Sequence, residues 1–247
     1  MTRPVDQTFL VAGLIACVSL LYATAGQAGG TAFLAVMAFA AFPAIEMRPT
    51  ALLLNIVAAS YATWRLHQNA AIDRTLLLPL TLPSLVTAFV GGLLVLGGPV
   101  YFMLTGILLV AAAGLMMFQR AADTVEARPV RLLPAAAVGA GAGFLSGLTG
   151  VGGGVFLTPQ LIAYGWASPK RAAGLSPPFI LCNSLVGLLG ILIAGQTLAP
   201  GTLLYSAGAL GGALIGTVIG LRWMSERATR YVLAAVLLFA GLRLFFR

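Results

Sequence analysis

Two short clusters in this chain carry residue types suited to holding a ligand by its backbone. They are Gly26-Gln27-Ala28-Gly29-Gly30 and Gly150-Val151-Gly152-Gly153-Gly154. Each interrupts an otherwise apolar stretch, and a glycine inside a helix costs about 1 kcal/mol relative to alanine. Each cluster is therefore expected to break a helix, with a new helix starting near Thr31 and Val155. The first N–H groups of a helix have no partner within it, and they form the positive end of its dipole. That is the chemistry of an anion site, and glycine lets a ligand approach the backbone closely.

Polar side chains gather near these breaks. Thr24, Gln27 and Thr31 accompany the first, and Ser146, Thr149, Thr158, Gln160 and Ser176 the second. Thr158-Pro159 suits a helix start, threonine as cap and proline at the first position. If the helix already begins at Gly154, Pro159 instead leaves the Val155 carbonyl without its usual donor. Asn55 and Asn183 stand within long apolar runs, where an amide must find partners, either another helix or a polar cavity. The candidate binding residues are therefore Gly26, Gln27, Gly29, Gly30, Thr31 and Asn55 in the first half of the chain. In the second half they are Thr149, Gly150, Gly152, Gly153, Gly154, Thr158, Pro159, Ser176 and Asn183.

Other chemistries lack their residues. Gly150 to Val155 does not match G-x-G-x-x-G, and no P-loop lysine follows a glycine run. The single histidine, His67, is a poor base for any nucleophile, and Cys17 and Cys182 have no metal-ligand spacing and read as buried small hydrophobes. No catalytic residue, metal or cofactor is expected, and the chain reads as no enzyme. All six acidic residues fall in loops or the N-terminal tail. Without a carboxylate in a span centre, the pattern leans toward a neutral, backbone-rich anion site.

Positioning those clusters requires a membrane protein. Of 247 residues, 60% are hydrophobic and 8% charged, against about 25% charged in a typical soluble domain. The net charge of +8 comes from arginines scattered between apolar runs. They set orientation in the bilayer and do not form the basic face that nucleic acid needs. Apolar runs fall at 9–25, 31–42, 49–64, 75–96, 100–118, 132–149, 154–165, 172–194, 201–221 and 229–246. A crossing helix needs about 20 residues. The runs 31–42 and 154–165 have only 12, and both follow a glycine cluster.

The order cluster, short run, basic loop (Arg48; Lys170 and Arg171), longer run with one asparagine thus occurs twice. The glycine clusters are 124 residues apart and the asparagines 128. This divides the chain into repeats at 1–127 and 128–247 within one membrane domain. If each long run and its short run form a hairpin, ten Lys and Arg collect on one side and four (Arg3, Arg48, Arg243, Arg247) on the other. The positive-inside rule then places both termini outside the cytoplasm. The expected fold class is all-α and polytopic. Two inverted repeats each consist of a re-entrant or broken hairpin followed by three transmembrane helices. The remaining glycines, Gly91-Gly92, Gly139-Gly141-Gly143, Gly187-Gly190 and Gly208-Gly211-Gly212-Gly216, read as close helix packing.

At Gly143 to Gly165 the sequence resembles the TauE/SafE sulfite exporter family, also called toluene-sulfonate uptake permeases. The resemblance rests on the glycine-rich turn, the hydrophobe-Thr-Pro that follows, the basic pair Lys170-Arg171, and Ser176. It extends over nearly the whole chain as two repeats. The first copy departs from it at Gln27 and Ala28 and lacks a proline in its short run. The resemblance implies a bacterial inner-membrane permease for anions such as sulfite, sulfoacetate or sulfonates. A passive anion channel or a membrane scaffold is the alternative. The implied partners are a small anionic substrate and the lipid bilayer, with no nucleic acid; the oligomeric state is left open.

Overall fold

The computed structural model describes residues 5–24, 29–68, 72–118, 130–220 and 226–245. Among them the chain forms ten helices and no strand. They are α1 (Val5–Thr24), α2 (Gly30–Phe39), α3 (Ala44–Gln68), α4 (Arg74–Leu93), α5 (Gly98–Phe118), α6 (Leu132–Thr149), α7 (Gly154–Ala163), α8 (Pro169–Ile193), α9 (Thr202–Gly220) and α10 (Glu226–Phe245). Each apolar run of the sequence becomes one helix, because backbone in lipid must satisfy its own hydrogen bonds. Five of the helices are long and apolar enough to cross a membrane. The two short ones are buried from their starts: every residue of α2 from Gly30 to Ala38 and of α7 from Gly154 to Thr158 is enclosed.

Glycine permits the tight packing. A methyl added at Gly139, Gly143 or Gly147 of α6 would overlap the carbonyls of Leu80, Ser84 and Ala88 of α4 in turn. The rising register shows that α4 and α6 run parallel. Gly208, Gly212 and Gly216 of α9 meet the carbonyls of Ala12, Ala16 and Leu20 of α1 in the same way. Helix α3 packs on α8, and α5 on α10. Gly141 and Gly211 face open space. The expectation that they pack was wrong, because each stands on the outward side of its helix.

The ends of the helices show how the chain turns. Near the start of α3, Thr50 Oγ1 accepts from the N–H of Ala199, just after α8 (2.9 Å). Arg48 bonds the carbonyls of Leu94 after α4 and Gly147 near the end of α6. Gly201, before α9, lies against Thr8 near the start of α1. One end of the bundle therefore collects the starts of α1, α3 and α9 with the ends of α4, α6 and α8. At the other end Asp73, whose carboxylate caps α4, pairs with Arg171 in the first turn of α8. Since α6 and α8 finish on the same side, α7 must run back between them. Since α1 and α3 start on that side, α2 must return to it. The pairs α1–α2 and α6–α7 are hairpins.

Three further expectations change. Arg48 is no loop residue: it lies in the second turn of α3 and is 1% exposed. Cys17 is exposed on the outward face of α1, and Cys182 is half-buried; both are free thiols. Asn55 and Asn183 are not equivalent, because α3 and α8 start 125 residues apart. The counterpart of Asn55 is Ile180, and Asn183 falls a turn beyond it. The repeat boundary at 127/128 lies outside the described residues.

Candidate functional site

Helix α6 runs into the second break at Gly150, whose N–H donates to the Ser146 carbonyl (2.8 Å). The end of a helix leaves four carbonyls unpaired and carries about half a negative charge. Here donors from the first half of the chain cover it. Arg48 Nη2 donates to the Gly147 carbonyl (2.9 Å) and the Tyr101 hydroxyl to the Thr149 carbonyl (3.1 Å). Asn55 Nδ2 donates to the Gly150 carbonyl (3.4 Å). The Thr149 hydroxyl turns back on Leu145 (2.6 Å).

The same guanidinium caps α4. Arg48 Nη1 donates to Leu94 (2.9 Å), and Nη2 also reaches Gly91 (3.1 Å) and Gly92 (3.4 Å). Carbonyls at two helix ends replace water, which is why a cation tolerates this burial. Its helical neighbours are Ala44, Ile45, Ala51 and Leu52, so no local ion pair exists. That missing acid beside an apolar run was the sequence signal for a buried role.

Both short helices restart in the same way. Gly29 (φ 89°) caps α2 and Gly153 (φ 76°) caps α7, both left-handed. This backbone costs other L-residues about 1–2 kcal/mol. The Gly29 carbonyl accepts from Ala32 and Phe33, and the Gly153 carbonyl from Phe156 and Leu157. The helices thus begin at Gly30 and Gly154, one residue earlier than expected. The N–H groups of Gly30, Thr31, Gly154 and Val155 precede the first helical donors.

The two breaks meet. A methyl at Gly30 would overlap the Val151 carbonyl and stand 2.9 Å from both amide atoms of Asn55. A methyl at Gly152 would stand 2.7 Å from Asn55 Nδ2. Asn55 is thus wedged between the start of α2 and the second glycine cluster. It is 0% exposed, and its Oδ1 has no hydrogen-bond partner. Beside the start of α7 stands Ile180, whose Cδ1 would lie 2.5 Å from a methyl at Gly154. The wall is therefore polar at α2 and apolar at α7.

Gly29, Gly30, Asn55, Gly150, Gly152, Gly153 and Gly154 come together. Other candidates brace the short helices. Thr31 shares a hydrogen bond with Tyr22 of α1 (2.5 Å), and Thr158 with Ser176 of α8 (2.6 Å). Thr158 therefore caps nothing, and Pro159 sits inside α7, where it deprives Val155 of its donor. Asn183 Nδ2 bonds the Phe179 carbonyl one turn back (2.8 Å), and its Oδ1 is unpaired. The residue that borders Gly153 from α8 is Phe179, whose ring lies 3.1 Å from where a methyl there would be. Ser146 Oγ, also buried and unpaired, borders Gly153. Gly26 and Gln27 lie outside the described residues. Arg48, Tyr101, Val151 and Ile180 were missed, because their roles depend on helices far away in sequence.

Comparison with known proteins gives the chain's family. Over 231 residues the chain is 30% identical to the probable membrane transporter protein y4hK of Sinorhizobium fredii, covering 92% of this chain and 94% of that one. It is 35% identical over 114 residues to the probable membrane transporter protein MJ0441 of Methanocaldococcus jannaschii, covering 45% of this chain and 42% of that one. No solved structure matches. Residues 10–244, from α1 to α10, match the sulfite exporter TauE/SafE family, and to that family of membrane transporters the chain belongs.

Proposed function

We propose that the protein is a secondary transporter for small sulfur-containing or organic anions, such as sulfite, sulfoacetate or sulfonates, across the bacterial inner membrane. The anion sits where α2 and α7 begin. The supporting observation is the meeting of Gly30 with Val151 and Asn55 in the buried interior. The start of α2 meets the turn that leads into α7, the Asn55 amide lies between them with an N–H to offer, and the opposing end of α6 is covered by donors. The helix pairing supports inverted repeats at 1–127 and 128–247. Helix α1 packs on α9 as α6 packs on α4, while α3–α8 and α5–α10 pair across the halves.

Uptake of radiolabelled sulfite and sulfoacetate into proteoliposomes tests this directly. Saturation and counterflow are expected. Flux without saturation would indicate a channel, and no flux across a panel of anions would leave a scaffold.

Orientation follows from charge. With Arg48 buried, three basic residues remain on the side of the termini against ten on the other. Both termini therefore face the periplasm. An alkaline phosphatase fused to the C-terminus should be active; a well-expressed but inactive fusion would reverse the orientation.

A further inference from the structure

We infer that Arg48 sets the sign of the field at the anion site, making the meeting point of the two breaks selective for anions and most of all for dianions. This rests on the proposed transport of anions. Arg48 is buried, and among the described residues no carboxylate pairs with it. Its four contacts are backbone carbonyls at the ends of α4 and α6. Two helix C-termini carry about half a negative charge each, and two N-termini about half a positive charge each. Without Arg48, the ends of α4 and α6 would offset the starts of α2 and α7, leaving the region about neutral. With Arg48, the ends of α4 and α6 are neutralised, and of the helix ends at the two breaks only that of α1 still opposes the starts of α2 and α7, which leaves a net positive field.

The guanidinium is also close enough to act. The Gly147 carbonyl that it holds lies within one helical turn of Gly150. The Arg48 backbone itself borders Gly150: its carbonyl oxygen would stand 3.1 Å from a methyl there. In a water-poor interior a unit charge at such range is weakly screened, and its effect scales with the charge of the ligand. Arg48 also leaves one donor, Nε, without a partner.

The test compares methanesulfonate, a monoanion, with sulfoacetate, a dianion, in proteoliposome uptake by the wild-type protein, Arg48→Gln and Arg48→Lys. Loss of folded protein lowers Vmax alone, whereas loss of the field raises KM. For Arg48→Gln the expected result is a KM about tenfold higher for methanesulfonate and several-fold more than that for sulfoacetate. Arg48→Lys keeps the charge but not the planar fork. It should melt at a lower temperature than wild type, yet keep both KM values within about threefold. Equal KM increases for the two anions, a fall in Vmax alone, or an Arg48→Lys protein with the KM values of Arg48→Gln would overturn the inference. Wild-type protein that takes up neither anion would instead remove the anion-transport reading, and this inference with it.

Discussion

Asn55→Leu is expected to abolish anion uptake while the protein melts at or above the wild-type temperature. The Asn55 side chain is fully enclosed, and its Oδ1 makes no hydrogen bond. A buried polar atom left unpaired costs about 1–3 kcal/mol. The one bond on its other side, Nδ2 to the Gly150 carbonyl, is 3.4 Å long and therefore weak. As glue between helices the amide is a poor bargain, and leucine of similar shape would hold α3 against the second break at least as well. In the proposed reading the amide is kept because it lies between Gly30 and Gly152, where Nδ2 can offer its second hydrogen to an anion seated at the start of α2. Uptake per reconstituted molecule should fall at least tenfold, with no loss in thermal stability. A clear drop in melting temperature together with normal uptake would make Asn55 structural.

Gly30→Ala is expected to have an effect of similar size by a different route. Its added methyl would overlap the Val151 carbonyl, a backbone atom that cannot rotate away. The two breaks must then separate. Overpacking typically costs about 1–3 kcal/mol, and here the displaced atoms are the backbone of the proposed anion site. Uptake should fall more than tenfold even among correctly inserted molecules. Gly211→Ala is the matched control: the same change in an equally oily helix meets nothing within 4 Å. It should leave uptake unchanged and the melting temperature equal or slightly higher, as alanine favours the helix by up to about 1 kcal/mol. Size-exclusion profiles and protease protection of the two variants measure insertion. If both variants transport equally, the contact between the breaks is dispensable.

The sequence alone determined the helices and the two interruptions. Lipid offers no hydrogen bonds, so an apolar run must become a helix, and all ten runs did so to within a few residues. The glycine clusters marked where helices stop, since a left-handed cap such as Gly29 or Gly153 is a local property of the residue. Tertiary structure decided which residues meet. Asn55 and Asn183 look alike in sequence, each a lone amide in an apolar run. The start points of α3 and α8 put Ile180 beside Gly154, where Asn55 stands beside Gly30. Gly211 and Gly212 are adjacent in sequence, yet only Gly212 touches α1, because a rotation of 100° per residue separates their faces. Arg48 differs most between the two levels. Read locally it is a charge next to a span and belongs in water. Its acceptors come from residues 43 to 99 positions away, and only the folding of α4 and α6 against α3 brings those carbonyls close enough to replace water.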